Sequence, residues 1–319
     1  TRHAYYYYFN KLDNGSKSSK ISRNINLMKY VLKFGQVAIV TGGNSGIGYQ
    51  TALELARRGA KVILGCRDEV RGQKAAAAIV KKTKNKYVRY MHLDLSSFES
   101  VRKFVDDFKT SEAKLDILIN NAGASGVHRH MTENGIVCDM QVNHFGPFLL
   151  TVLLTPLLKK SAPSRVVIVS SMYHRFGTIN DLNTPHSYIR TYCDSKLCNV
   201  LFSNELARRL EETGVTVNCL HPGHVNTSFY RATAMEKLRT LILYTFFKNP
   251  VEGAQTSLFL AVSDDCDEET GKYFVDCKEG LMGLKAQDED LAANLWELSE
   301  EMVGLRPEEK VCVNEIQLD

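Results

Sequence analysis

A β-branched run, Val37 to Val40, opens directly onto Thr41-Gly42-Gly43-Asn44-Ser45-Gly46-Ile47-Gly48, and a helical stripe at Gly48, Ala52, Leu55 and Ala56 follows before Gly59. A strand that turns through glycines into a helix leaves few folds open. Glycine permits a tight turn and close backbone approach, and the first N–H groups of the helix are presented to an anion such as a pyrophosphate. The spacing fails G-x-G-x-x-G, because Thr51 stands three places after Gly48, and no Gly-Lys-Ser/Thr follows to make a phosphate loop.

Six more β-branched runs recur at helix-length intervals: Val62 to Leu64, Val88 to His92, Leu115 to Ile119, Val166 to Val169, Val215 to Leu220 and Tyr273 to Val275. This alternation predicts an α/β fold, a single Rossmann-like doubly wound domain whose seven-stranded, mainly parallel sheet carries helices on both faces. In such sheets ligands bind beyond the carboxyl ends of the strands, so chemistry is sought just after each run.

The 319 residues divide into a flexible basic arm (1–35), the Rossmann domain (36–285) and a C-terminal acidic helix and tail (286–319). The arm holds seven Lys/Arg against Asp13, and residues 288–319 hold ten acids against Arg306 and Lys310. In the tail, Leu291, Leu295, Leu298 and Met302 recur at helical spacing and predict a docked amphipathic helix. An apolar share of 44% excludes a disordered or collagenous chain. Lys81, Lys82, Lys84, Lys86 and Arg89 cluster at a helix end, where cations suit the helix dipole, so no nucleic-acid partner is expected. The eight cysteines form no C-x-x-C pair and read as reduced core thiols. His221 and His224 are separated by Pro222-Gly223, which breaks the helix that would present an H-x-x-H pair, so no metal is expected.

No apolar run approaches the ~18 residues that span a bilayer, and as it stands the chain is expected to be cytoplasmic. It begins at Thr1 and not Met, and an anchor upstream would instead place it at the endoplasmic reticulum or a mitochondrion. Homo-oligomerisation is left open.

The later strand ends carry further motifs. Asp94-Leu95 follows the third, Asn120-Asn121-Ala122-Gly123 the fourth, Ser170-Ser171 the fifth, and Pro222-Gly223 with Val225 and Thr227 the sixth; Tyr192-Cys193-Asp194-Ser195-Lys196 opens a long helical stretch. Together with T-G-x-x-x-G-x-G, this order resembles the short-chain dehydrogenase/reductase family over roughly residues 36–285. Y-x-x-x-K also occurs at Tyr7/Lys11 and Tyr244/Lys248, but only Tyr192 follows a strand-end Ser. The resemblance implies cofactor contacts from Thr41, Gly42, Asn44, Ser45, Gly46, Ile47, Gly48, Asp94, Leu95, Asn121, Ala122, Gly123, Tyr192, Lys196, Pro222, Gly223, Val225 and Thr227. It also implies a catalytic set of Asn143, Ser171, Tyr192 and Lys196.

Elementary chemistry supports that set. Tyr192 and Lys196 are four apart on a helix and share a face. A free phenol titrates near ~10, and a neighbouring ammonium favours its phenolate, which makes it a usable acid and base at neutral pH. Ser171 would bond the substrate oxygen; strand alternation lets only one of Ser170 and Ser171 face the site, and the family pattern favours the second. Asn143, in Gln141-Val142-Asn143-His144, matches the family Asn on the proton path behind Lys196, the alternative being an Asn that merely satisfies backbone.

The second strand ends in Cys66-Arg67-Asp68, where NAD-using relatives usually carry an acid in place of Cys66. Arg67 offers a phosphate-matched fork, so NADP(H) is favoured over NAD, although Asp68 could pair with it. Lys160 through Arg165 and Ser195 through Ser203 resemble the retinol dehydrogenase and WW-domain-oxidoreductase branch, which implies a small apolar carbonyl or alcohol as substrate. Trp296 is the only tryptophan, so no WW module is present. The apolar stretch between Thr227 and Glu252 has three open fates: a substrate lid, peripheral membrane contact through 236–248, or plain core. Two functions follow, an NADP(H)-dependent oxidoreductase or a cofactor-binding regulator that kept the fold.

Overall fold

A computed structural model describes residues 33–126, 130–223, 225 and 248–311, which belong to one compact unit, Val31–Asp319. The calls on residues 1–32, His224, Thr227 and most of the apolar stretch to Glu252 lie outside the described residues.

Seven strands form where β-branched runs were read: β1 Val37–Thr41, β2 Lys61–Cys66, β3 Val88–His92, β4 Ile117–Asn120, β5 Ser164–Val169, β6 Val215–His221 and β7 Tyr273–Val275. The sheet has eight strands, not seven, because β8, Lys278–Glu279, pairs antiparallel with β7. Its order is β3-β2-β1-β4-β5-β6-β7-β8, and every pairing up to β7 is parallel. β4 starts two residues later than its apolar run, since the Asp116 carboxylate accepts the Val37 N–H at 2.7 Å and so anchors β1 beside it.

The crossover helices are α1 Gly46–Arg57, α2 Glu69–Thr83, α3 Phe98–Ser111, α4 Cys138–Lys160, α5 Tyr188–Arg209 and α6 Gln255–Val262. α1, α2 and α6 cover one face of the sheet, and α3, α4 and α5 the other. The tail helix α7, Glu289–Met302, is capped by Asp288, whose carboxylate accepts the Leu291 N–H at 2.9 Å. It packs on α5, and its buried Trp296 lies edge-on to Phe148 of α4 at 5.0 Å between ring centroids.

α4 corrects one expectation. Its 23 residues include an 18-residue window of mean hydropathy 1.2, enough by length and composition to cross a membrane, and 83% of that window is buried inside the fold. Asn143, His144, Thr151 and Thr155 interrupt its apolar sequence, which is why no long run stands out by eye. Within the fold the hydroxyls of Thr151 and Thr155 donate to carbonyls one turn back, whereas Asn143 and His144 bond to other elements, His144 to Ser299 of α7 at 2.8 Å.

Candidate active site

The strand order reverses between β1 and β4, which opens a crevice at their carboxyl ends. Thr41 closes β1 there. Its hydroxyl oxygen accepts the backbone N–H groups of Asn121 and Ala122, each at 2.9 Å, and its carbonyl accepts the Asn121 side-chain amide at 2.8 Å. The first and fourth strand-end motifs are therefore one structure. Gly42 needs its left-handed φ of 65°, and a Cβ on Gly48 would stand 2.4 Å from Asn121 Nδ2 and 2.5 Å from the Gly42 carbonyl. Ser45 begins α1 in an extended conformation without a side-chain cap, so the first-turn N–H groups stay available to an anion. This cradle fits a dinucleotide pyrophosphate.

At the β2 end, Cys66 is buried and its thiol is pushed up to about 11 by burial, so no negative charge stands where an acid would favour NAD. Asp68 does not neutralise Arg67. Its carboxylate caps α2 by accepting the Arg71 N–H at 2.9 Å, and it lies 3.5 Å from the Arg71 guanidinium. Arg67 is largely exposed, with its Nε 3.9 Å from Asp94. Asp94 in turn accepts the N–H and hydroxyl of Ser96, while Leu95 is buried where Gly146 of α4 approaches its carbonyl.

At the β5 end stand Lys196, Tyr192 and the two serines, and Asn143 is joined to the Tyr192 turn through Ser195. Lys196 is buried, its Nζ donates to the Val169 carbonyl at 3.1 Å, and it lies 5.6 Å from the centre of the Tyr192 ring. Burial lowers its pKa to about 8, so the ammonium persists at neutral pH. The two serines differ in their partners: Ser170 donates to the Lys196 carbonyl at 2.7 Å and fastens α5 to the strand, whereas Ser171 lies one residue on and caps the turn Met172–Phe176.

Asn143 sits where α4 widens into a π-turn, Gln141–Phe145, a distortion frequent at functional sites. Its amide accepts from the Ala124 N–H at 2.6 Å, donates to the Ala124 carbonyl at 2.9 Å and donates to Ser195 Oγ at 3.0 Å. The Ser195 hydroxyl then donates to the Tyr192 carbonyl at 2.8 Å. Asn143 thus reaches out of its own helix and joins the β4 loop to the turn that bears Tyr192. Ser195, a position that Y-x-x-x-K leaves unspecified, gave no signal of this in the sequence.

On the opposite side, Val225 and Ile47 both pack against Gly253, where a Cβ would lie 2.7 and 3.1 Å from them. Val225 also forms a parallel bridge with Lys248, whose ammonium donates to the Pro222 carbonyl at 3.4 Å and pairs with Asp276. Val225 is thereby brought beside Ile47 of the glycine turn, while Pro222 and Gly223 lie against Lys248. Among the described residues no cluster of His, Cys, Asp or Glu could hold a metal, and the seven cysteines there are free thiols.

The family model for short chain dehydrogenases matches residues 36–237. The chain belongs to the short-chain dehydrogenase family. Within this oxidoreductase family it falls in the retinol-dehydrogenase-like branch. It is 46% identical to retinol dehydrogenase 14 of Homo sapiens over 295 residues, covering 86% of this chain and 88% of that one. Retinol dehydrogenase 12 of Homo sapiens is 45% identical over 276 residues, with 85% and 87% covered. Among solved structures, the Pseudomonas aeruginosa RhlG/NADP active-site complex superposes with a TM-score of 0.64 at 26% identity, covering 77% of this chain and 96% of that one.

Proposed function

We propose that this short-chain dehydrogenase uses NADP(H) to interconvert an apolar alcohol and its aldehyde or ketone, with retinoids as the first substrate class to test. The observation that carries the reading is the buried Lys196 ammonium beside Tyr192 at the end of β5, one residue short of Ser171's capped turn. The nicotinamide, when bound, donates or accepts the hydride. The remaining steps belong to this chain. Lys196 favours a phenolate at Tyr192, so Tyr192 Oη gives or takes the proton at the substrate oxygen. Ser171 Oγ bonds the same oxygen and fixes its direction. Asn143 and Ser195 hold the turn of α5 on which the phenol is mounted.

NADP(H) is favoured by the exposed Arg67 fork, by Asp68 being spent as a helix cap and by the neutral Cys66 thiol. An apolar substrate is supported by the rim: Phe176, Leu281 and Leu284 are 72, 83 and 88% exposed on the two segments beside Ser171, and the names of the retinol dehydrogenase relatives point the same way.

The test is NADPH oxidation with retinaldehyde, steroid ketones and long-chain aldehydes, alongside Tyr192→Phe. Turnover is expected, with kcat lowered ~10² to 10⁴-fold in the variant and cofactor affinity retained. NADPH binding without turnover of any compound would overturn the proposal in favour of a cofactor-binding regulator.

A further inference from the structure

His174 lies three residues beyond Ser171 and is 1% exposed. Its Nδ1 is 2.7 Å from the Ser171 carbonyl oxygen, and the Gly283 N–H donates to its Nε2 at 2.9 Å. A carbonyl only accepts and an amide N–H only donates, so the two partners select one neutral tautomer, with the proton on Nδ1. Burial, which lowers this imidazole's pKa, keeps it in that form. The backbone N–H of His174 also donates to the Ser171 carbonyl, at 3.1 Å. That carbonyl is held from two directions, and the Tyr173 N–H reaches Ser171 Oγ at 3.3 Å. Ser171 is extended, φ −158° and ψ 158°, and these bonds hold both its carbonyl and its Oγ, so the segment that carries the hydroxyl is fixed at both ends.

The far end of the bridge belongs to the chain that leads into α7. Arg175 donates to the Leu281 carbonyl at 2.9 Å and Lys285 to the Gly177 carbonyl at 2.9 Å, across the same two segments. Both of those side chains are exposed, where water competes; His174 makes the buried link.

We propose that His174 is a positioning residue: its imidazole carries the Gly283 segment's hold to the Ser171 carbonyl and thereby aims the Ser171 hydroxyl at the substrate oxygen. The inference rests on the role proposed for Ser171.

Two conservative variants separate the ends of the bridge. The side-chain amide of His174→Asn reaches the Nδ1 position and keeps the grip on Ser171. That of His174→Gln reaches the Nε2 position and keeps only Gly283. With NADPH and a substrate that the wild type reduces, His174→Gln is expected to lower kcat about tenfold and leave KM for NADPH unchanged, while His174→Asn stays within about twofold of wild type. Both should melt lower. In a Ser171→Ala background, His174→Gln should lower kcat no further.

The proposal is overturned if kcat falls alike in both variants in step with Tm, or if the losses multiply in the double variant. If Ser171→Ala alone turns over at the wild-type rate, the reading of Ser171 falls and this one with it. If Ser171→Ala is slow but His174→Gln is not, only the His174 inference falls. Should His174→Gln fail to fold, Gly283→Pro removes the donor at a φ of −64° that proline accepts, and an unchanged kcat there overturns the proposal.

Discussion

Asn121 holds Thr41 by two hydrogen bonds, from its backbone N–H to the hydroxyl at 2.9 Å and from its side-chain amide to the carbonyl at 2.8 Å. The pair spans the reversal in strand order, so the walls of the crevice are tied at the point where a pyrophosphate would lie.

Thr41→Val deletes the acceptor of two backbone N–H groups, those of Asn121 and Ala122, at a fully buried position. A loss of about 2 kcal/mol in urea unfolding is expected, with NADPH affinity falling about tenfold by calorimetry. Thr41→Ser keeps the oxygen and should recover most of both.

Arg67→Ala should weaken NADPH about tenfold to a hundredfold and leave NADH nearly unchanged, because only the 2′-phosphate offers the guanidinium a charge-assisted partner. Fluorescence titration of both cofactors checks this. Equal affinity of the wild-type protein for the two would defeat the cofactor assignment.

Lys196→Met should abolish turnover yet stabilise the cofactor-free protein. Burial depresses the folded-state pKa to about 8 from an ordinary 10.5, a cost of about 3 kcal/mol. Freeing the Val169 carbonyl of its donor returns about 1 kcal/mol of that, so a net gain of about 2 kcal/mol is expected at pH 7. The penalty on the wild type is full below pH about 8 and fades as pH rises towards 10.5. The gap in unfolding free energy should therefore close over that interval, and a gap independent of pH would contradict the assignment.

The strands were legible because a buried parallel sheet writes itself as β-branched runs, and the strand-end motifs because backbone approach there tolerates few residue types. What stayed hidden depends on long-range partners. β8 is two residues long and has no period to read. Asp68 looks equally able to pair with Arg67 or to cap α2, and only the chain path decides for the cap. Ser195 and His174 are ordinary residues until Asn143 and Gly283 are brought against them from 52 and 109 positions away. α4 hid for a different reason: polar residues break up its apolar sequence on paper, but in space Thr151 and Thr155 bond within its own turns and Asn143 and His144 find partners on α5 and α7.

The bridge between Val225 and Lys248, fastened by Pro222 and Asp276, fixes the entry and exit of the intervening stretch side by side. Lys248 therefore ties the exit of β6 at Pro222 to the exit of β7 at Asp276, so the last two parallel strands share one clamp at their carboxyl ends.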